Sequence, residues 1–214
     1  MQIDIVSDTV CPWCFIGKRR LARALAMRPV VPAQIFWRPY RLDPTIPRAG
    51  VDRKAYLKAK FGDSPRSGAM GEAIRSEGTQ EGISFAFDKI AKTPNTLDSH
   101  RLIRWAAGAG VQDAIVERLF KAYFIDGRDI GDAGVLTDIA AEAGMDPVLV
   151  GDLLSKDADL AAIEREAGMA SEMGISGVPT FIFESRFMIS GAREPEILAK
   201  IIDRAVAAST ESAP

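Results

Sequence analysis

The stretch Ser7-Asp8-Thr9-Val10-Cys11-Pro12-Trp13-Cys14 decides how the rest of the chain is read, because it holds both cysteines of the 214-residue protein. Two residues separate them. Before it, Gln2-Ile3-Asp4-Ile5-Val6 alternates apolar and polar residues as a strand does. After it, Ile16, Leu21, Ala24 and Leu25 recur at helical spacing until Pro29 ends the run. The pair therefore falls at a strand-to-helix junction, with Cys11 near the first turn. Unpaired N–H groups and the positive end of the macrodipole favour an anion there. A thiolate is such an anion, and both the helix start and the CxxC spacing lower a cysteine pKa.

Three chemistries fit a lone CxxC. A structural zinc site needs four ligands, and two Cys with one His leave it a ligand short. Two inert buried cysteines are the second. A redox-active dithiol is the third, and a cytosolic CxxC beside a strand–helix pattern points to it. The composition is ordinary for a globular chain, with 47% hydrophobic and 26% charged residues and a net charge of −2. No block of Lys or Arg suggests nucleic acid or an anionic membrane; Lys18-Arg19-Arg20 reads as the solvated face of the first helix. No apolar run reaches the ~20 residues that span a bilayer. Asp4 and Asp8 fall where a signal peptide would be apolar, so the expected location is the cytoplasm and the chain reads as complete. A reducing cytosol disfavours a structural disulfide and leaves room for a catalytic one.

Further along, residues 33–40 read as a second strand ending at Pro39. A proline-containing loop, residues 41–47, follows. Residues 53–61 suggest a short helix, and residues 67–80 a second one weakened by Gly68, Gly71 and Gly78. Residues 83–87 read as an extended connection. Asn95, with Asp98 three residues on, approximates a capping box. Helical patterns then cover residues 95–109, 114–124, 132–143, 147–154 and 157–173, each break marked by Gly, Asp or Pro. Residues 174–183 enter a third strand, residues 186–190 form a fourth that can pair with it, and residues 195–208 close as a helix. The order strand, helix, strand, long helical stretch, hairpin, helix predicts a small α/β layer carrying a helical subdomain.

Several motifs carry a family resemblance. They are Cys11-Pro12-Trp13-Cys14-Phe15-Ile16-Gly17-Lys18, Trp37-Arg38-Pro39-Tyr40-Arg41-Leu42-Asp43-Pro44, Pro94-Asn95-Thr96 with Ser99-His100-Arg101, and Gly174-Ile175-Ser176-Gly177-Val178-Pro179-Thr180-Phe181. Together they resemble the DsbA superfamily and, within it, the cytoplasmic FrnE-like dithiol–disulfide oxidoreductases, from residue 2 to about 206. CPWC combined with GVPTF is specific; either alone is less so. The resemblance implies an α/β thioredoxin fold with a large α-helical insertion. It divides the chain into a thioredoxin-fold domain (1–48 and 157–208), a helical insertion (49–156) and a frayed tail (209–214). Relatives include 2-hydroxychromene-2-carboxylate isomerases and kappa-class glutathione transferases, which use glutathione and carry Ser where Cys11 stands.

Cys11 is the expected nucleophile, since disulfide attack requires a thiolate and the first Cys of the pair is the one at the helix start. Cys14, one turn on, would resolve the mixed disulfide. Pro12 and Trp13 carry no charge to lower the Cys11 pKa, and Asp8 would raise it if close. Pro179 is the third catalytic residue: the resemblance implies a cis Val178–Pro179 bond facing the pair, against a trans proline at a strand entrance. Val178 would then offer its backbone to an incoming peptide. Pro12, Trp13, Val178, His100, Asn95 and Arg41 are the candidate substrate-binding residues. For His100, a place over the dithiol or on glutathione competes with a helix-surface or capping role. Asn95 and Thr96 could be only a helix cap. Arg41, where the family often has an acid, would favour a thiolate or an anionic ligand if near the site and mean nothing if it faces solvent.

The expected function is thiol–disulfide oxidoreductase or isomerase, without metal or organic cofactor, acting on protein or peptide thiols and disulfides, with glutathione as a candidate co-substrate. A glutathione-dependent isomerase or transferase and a non-enzymatic peptide-binding chaperone are the alternatives. Substrate, direction of electron flow and oligomeric state are not fixed by the sequence.

Overall fold

Alternation along the first strand, β1 (Gln2–Ser7), turns Ile3 and Ile5 into the main core and Val6 into a smaller cluster with Ala170 and Ile175. The computed structural model describes residues 1–62 and 64–211. After β1 come α1 (Pro12–Ala26), β2 (Gln34–Pro39), β3 (Val51–Asp52), α2 (Arg53–Phe61) and α3 (Pro65–Gln80). A 3₁₀ turn (Phe87–Lys89) leads to β4 (Lys92–Thr93), then α4 (Leu97–Gly108), α5 (Gln112–Phe124), α6 (Ala133–Glu142), α7 (Pro147–Ser155) and α8 (Leu160–Glu172). The hairpin β5 (Thr180–Phe183) and β6 (Phe187–Ser190) and the helix α9 (Pro195–Glu211) close the chain.

The main sheet has the order β2-β1-β5-β6. β1 and β2 are parallel, with Ile5 opposite Trp37, and a parallel pair needs the crossover that α1 supplies. β5 runs antiparallel to β1, with Phe181 opposite Ile5, and β6 antiparallel to β5. Ile16 and Leu21 of α1 and Leu198 and Ile202 of α9 pack with Ile3 and Ile5 on one face. Ala170 of α8 packs with Val6 on the other. The helices α2 to α7 between β2 and α8 make up the helical insertion, so the architecture is α/β, a thioredoxin fold with a large helical insertion. Its core is continuous with that of the sheet layer: Phe15 of α1 stacks on Phe120 of α5 at 5.1 Å between ring centroids.

The structure departs from the sequence pattern in local ways. β3 and β4 pair over two residues each, too short to leave a periodic signal. The capping box does not form. Thr96 is the N-cap of α4 without a side-chain bond, while Asp98 pairs with Arg48 and Arg101. Two guanidiniums within reach outcompete a neutral N–H for a carboxylate. The closing helix runs on to Glu211; residues 212–214 of the expected frayed tail lie outside the described residues.

Candidate active site

Cys11 is the N-cap of α1, with an extended backbone (φ −93°, ψ 112°), and Pro12 occupies the first helical position. Proline suits that place because its φ is pre-set and the N–H it lacks would have no helical partner. A turn in which the Cys11 N–H donates to the Asp8 carbonyl at 3.1 Å lifts the residue out of β1. Both cysteines are free thiols. Cys14 is 1% exposed, and its thiol is pushed well above the ordinary value. Burial is the main cause, followed by its hydrogen bond with Cys11 and the Cys11 charge; the Ser7 hydroxyl and the Asp8 backbone oppose the shift. The second sulfur is thus held protonated beside the first.

The Val178–Pro179 peptide bond is cis. The Val178 carbonyl lies 3.6 Å from the Cys11 sulfur and accepts its S–H. This loop is pinned from two sides. The Thr180 hydroxyl donates to the Gly177 carbonyl at 2.8 Å. Pro179 packs against α1 at Gly17, where an added Cβ would stand only 2.8 Å from the proline Cγ. Gly17, within the motif after Cys14, is therefore what lets the loop approach the sulfurs.

Cys11, Pro12, Trp13 and Val178 line one cavity of about 740 Å³, whose far wall comes from α2 and α3 of the insertion. Pro179 sits behind Val178. Three of the candidate binding residues do not line the cavity. Asn95 is buried and spent on the fold: its amide donates to the Ile46 carbonyl at 2.6 Å and its oxygen accepts from the Leu97 N–H. Arg41 donates to the Pro44 carbonyl at 3.0 Å, bracing its own loop. His100 is 3% exposed and does not line this cavity. Its Nε2 lies 2.9 Å from the Tyr40 carbonyl and 3.4 Å from Asp8 Oδ1. The α4 start does reach the Cys11 loop, through the bond between the Ser99 and Thr9 hydroxyls at 2.8 Å.

Asp8, Tyr56 and Arg53 also line the cavity and lie outside the candidate set. Asp8, 1% exposed, accepts from the Leu42 N–H at 2.7 Å. Tyr56 of α2 accepts from Lys60 at 2.7 Å, and its phenol is pushed up by burial and by the Asp43 charge. Arg53 donates to the Tyr123 hydroxyl at 2.9 Å. Asp8 could be suspected from its place in the motif, whereas Arg53 and Tyr56 sit in an unremarkable charged segment that only the fold brings over the cysteines. Among the described residues no group of three or more His, Cys, Asp or Glu has the geometry to hold a metal ion.

A family model described as the DSBA-like thioredoxin domain matches residues 2–203. A Bacillus subtilis protein described as the uncharacterized protein YwbO is 26% identical over 204 residues, which is 94% of this chain and 96% of that one. A Streptomyces coelicolor crystal structure, described as a probable DsbA oxidoreductase, superposes with a TM-score of 0.89 at 27% identity, covering 100% of this chain and 92% of its own. The cytosolic disulfide reductase DsbM from Pseudomonas aeruginosa, solved with GSH, gives 0.66 at 18% identity over 99% and 98%, a likeness of fold.

Proposed function

The chain belongs to the DSBA-like thioredoxin domain family, and from that premise we propose that it is a thiol–disulfide oxidoreductase working through Cys11 and Cys14. One observation carries the reading: the Cys11 sulfur stands on the cavity wall, 3.6 Å from the Val178 carbonyl, while Cys14 is buried beside it with its proton held. The Cys11 thiolate attacks a disulfide RS–SR′. The Cys11–SR bond forms, the S–S bond breaks, and R′S⁻ leaves and takes a proton from solvent. Cys14 then gives up its proton and attacks the Cys11 sulfur, forming the Cys11–Cys14 disulfide and releasing RS⁻. Two electrons pass from the protein to the substrate, and the reverse sequence oxidises a dithiol.

Val178 offers backbone groups against which an extended peptide can lie as an added strand. Protein or peptide thiols and disulfides, with glutathione as co-substrate, are the partners, and the electron balance needs no metal or organic cofactor. Residues 1–48 and 157–208 form the domain that carries the chemistry, and residues 49–156 cover it. No helix among the described residues is long and apolar enough to cross a membrane. We place the protein in the cytoplasm, where the glutathione pool would return it to the dithiol form. Asn95, His100 and Arg41 are positioning residues in this reading, holding the loops around Asp8.

The test is Cys14→Ala. It should accumulate a mixed disulfide on Cys11, read by intact mass, and lose turnover. Full glutathione-dependent turnover in that variant would replace this reading with the isomerase or transferase. Peptide binding by Cys11→Ser, with no redox change in the wild type, would replace it with the chaperone.

A further inference from the structure

Phe87 carries two guanidinium groups. Arg53 of α2 lies over its ring at 5.7 Å from the centroid, and Arg75 of α3 at 5.3 Å. All three residues line the cavity that holds Cys11, and so does Lys54. Among the described residues none of these three cations has a carboxylate within ion-pair distance. Arg53 donates to the neutral Tyr123 hydroxyl at 2.9 Å and lies over that ring as well, 5.7 Å from its centroid. Two carboxylates line the same wall against these cations and Lys58 and Lys60: Asp43 meets Thr45 and Lys60, and Asp8 accepts the Leu42 N–H with its other oxygen, Oδ1, buried 3.4 Å from His100 and without a hydrogen bond among the described residues. The cavity thus carries uncompensated positive charge on a protein whose net charge is −2. Two guanidiniums on one ring repel each other, and an anion bound by either would relieve that repulsion with charge-assisted hydrogen bonds. Around them the wall is largely apolar, with Leu57, Ile74, Met70 and Trp13. A volume of about 740 Å³ suits a ligand of drug size rather than a lone ion.

We propose that Arg53, Lys54 and Arg75 form an anion subsite that selects disulfides whose apolar body carries a carboxylate or phosphate group. This rests on the redox reading above and names its substrate class. The sulfur end of such a molecule meets Cys11, its apolar body lies along the wall, and its anion reaches Phe87 and the guanidiniums. The covalent step is unchanged: Cys11 forms the mixed disulfide with the bound half, the other half leaves as thiolate, and Cys14 releases the bound half with the two electrons.

The experiment compares two aromatic disulfides on the reduced protein, the dianion 5,5′-dithiobis(2-nitrobenzoate) and neutral 4,4′-dithiodipyridine. The readout is the ratio of their second-order rate constants, which cancels changes in Cys11 nucleophilicity. Lys54 and Arg75 are exposed, so Lys54→Gln with Arg75→Gln should leave the fold intact. The ratio should fall about tenfold in that variant, the low end of what local electrostatic focusing delivers. The wild-type ratio should also fall with ionic strength, and less steeply in the variant. Arg53→Gln should lower the ratio again. Benzoate and phenyl phosphate, which carry no sulfur, should slow the dianion's reaction, and the stronger competitor identifies the anion the subsite prefers. A ratio unmoved by the substitutions, or no competition by either anion, overturns the subsite and leaves the redox reading standing. If neither disulfide reacts at Cys11, the redox reading itself fails.

Discussion

At the residue scale the two cysteines are chemically unequal although only two residues separate them. Cys14 is the more deeply buried, off the cavity wall, with its thiol pushed up mainly by that burial. In the reduced protein, iodoacetamide at neutral pH should modify Cys11 first, and peptide mapping checks it. In Cys11→Ser, modification of Cys14 should stay slow until the pH rises well above the ordinary thiol value of 9.0. Gly17 gives a second prediction. A Cβ there would meet Pro179 Cγ at 2.8 Å and Phe181 Cζ at 3.1 Å, neither of which can retreat from a packed core. Gly17→Ala should cost about 1–3 kcal/mol in denaturant unfolding and slow disulfide exchange by shifting the loop beside Cys11. Both cysteines, Val178 and Pro179 are legible in the sequence because each lies in a short contiguous motif. His100 and Asn95 are legible as polar residues at a helix start, but their partners Asp8, Tyr40 and Ile46 are set by packing between distant segments, which no local pattern records.

At the element scale, α1 is tied to the insertion by ion pairs that no sequence spacing reveals. Glu117 of α5 meets Arg19 and, at 3.5 Å, Lys18. Burial pushes its carboxyl up, but the Lys18 and Arg19 charges outweigh that and hold it below 4.5. A depressed carboxylate stabilises the fold above its unfolded pKa, and the effect fades as pH falls through the folded value. Glu117→Gln should therefore destabilise by about 1 kcal/mol at neutral pH, and the gap should close as pH falls below the ordinary carboxylate range, measured by thermal unfolding across pH. Arg101 of α4 is fully buried and donates to the Ala158, Leu153 and Lys156 carbonyls and to Asp98. It fastens the end of α7 to α4. Arg101→Ala leaves those acceptors unpaired and should cost about 3–5 kcal/mol by chemical denaturation. Helical periodicity locates α4 to α8 within a few residues, because each has a buried face. It misses β3 and β4, and it starts α1 late because Pro12 and Trp13 precede the first periodic apolar residue.

For the whole molecule, the sequence order of strands and helices leads to the sheet and to a helical insertion, since a parallel β1–β2 pair and a terminal hairpin leave few arrangements. It does not lead to the way α2 and α3 close over Cys11. Their apolar faces are weakly periodic, and the charges that face the cavity look in sequence like any solvated helix. That cover makes the face carrying Cys11 one wall of a cavity. The most direct measurement is a redox titration: equilibrate the protein in glutathione buffers of rising disulfide fraction, quench with acid, alkylate and weigh it intact. A single two-electron transition is expected between a form with two alkylated thiols and a form with a Cys11–Cys14 disulfide and none, replaced in Cys14→Ala by one glutathione adduct on Cys11. Two free, alkylatable cysteines at every buffer composition would contradict the central claim that this pair is a working dithiol.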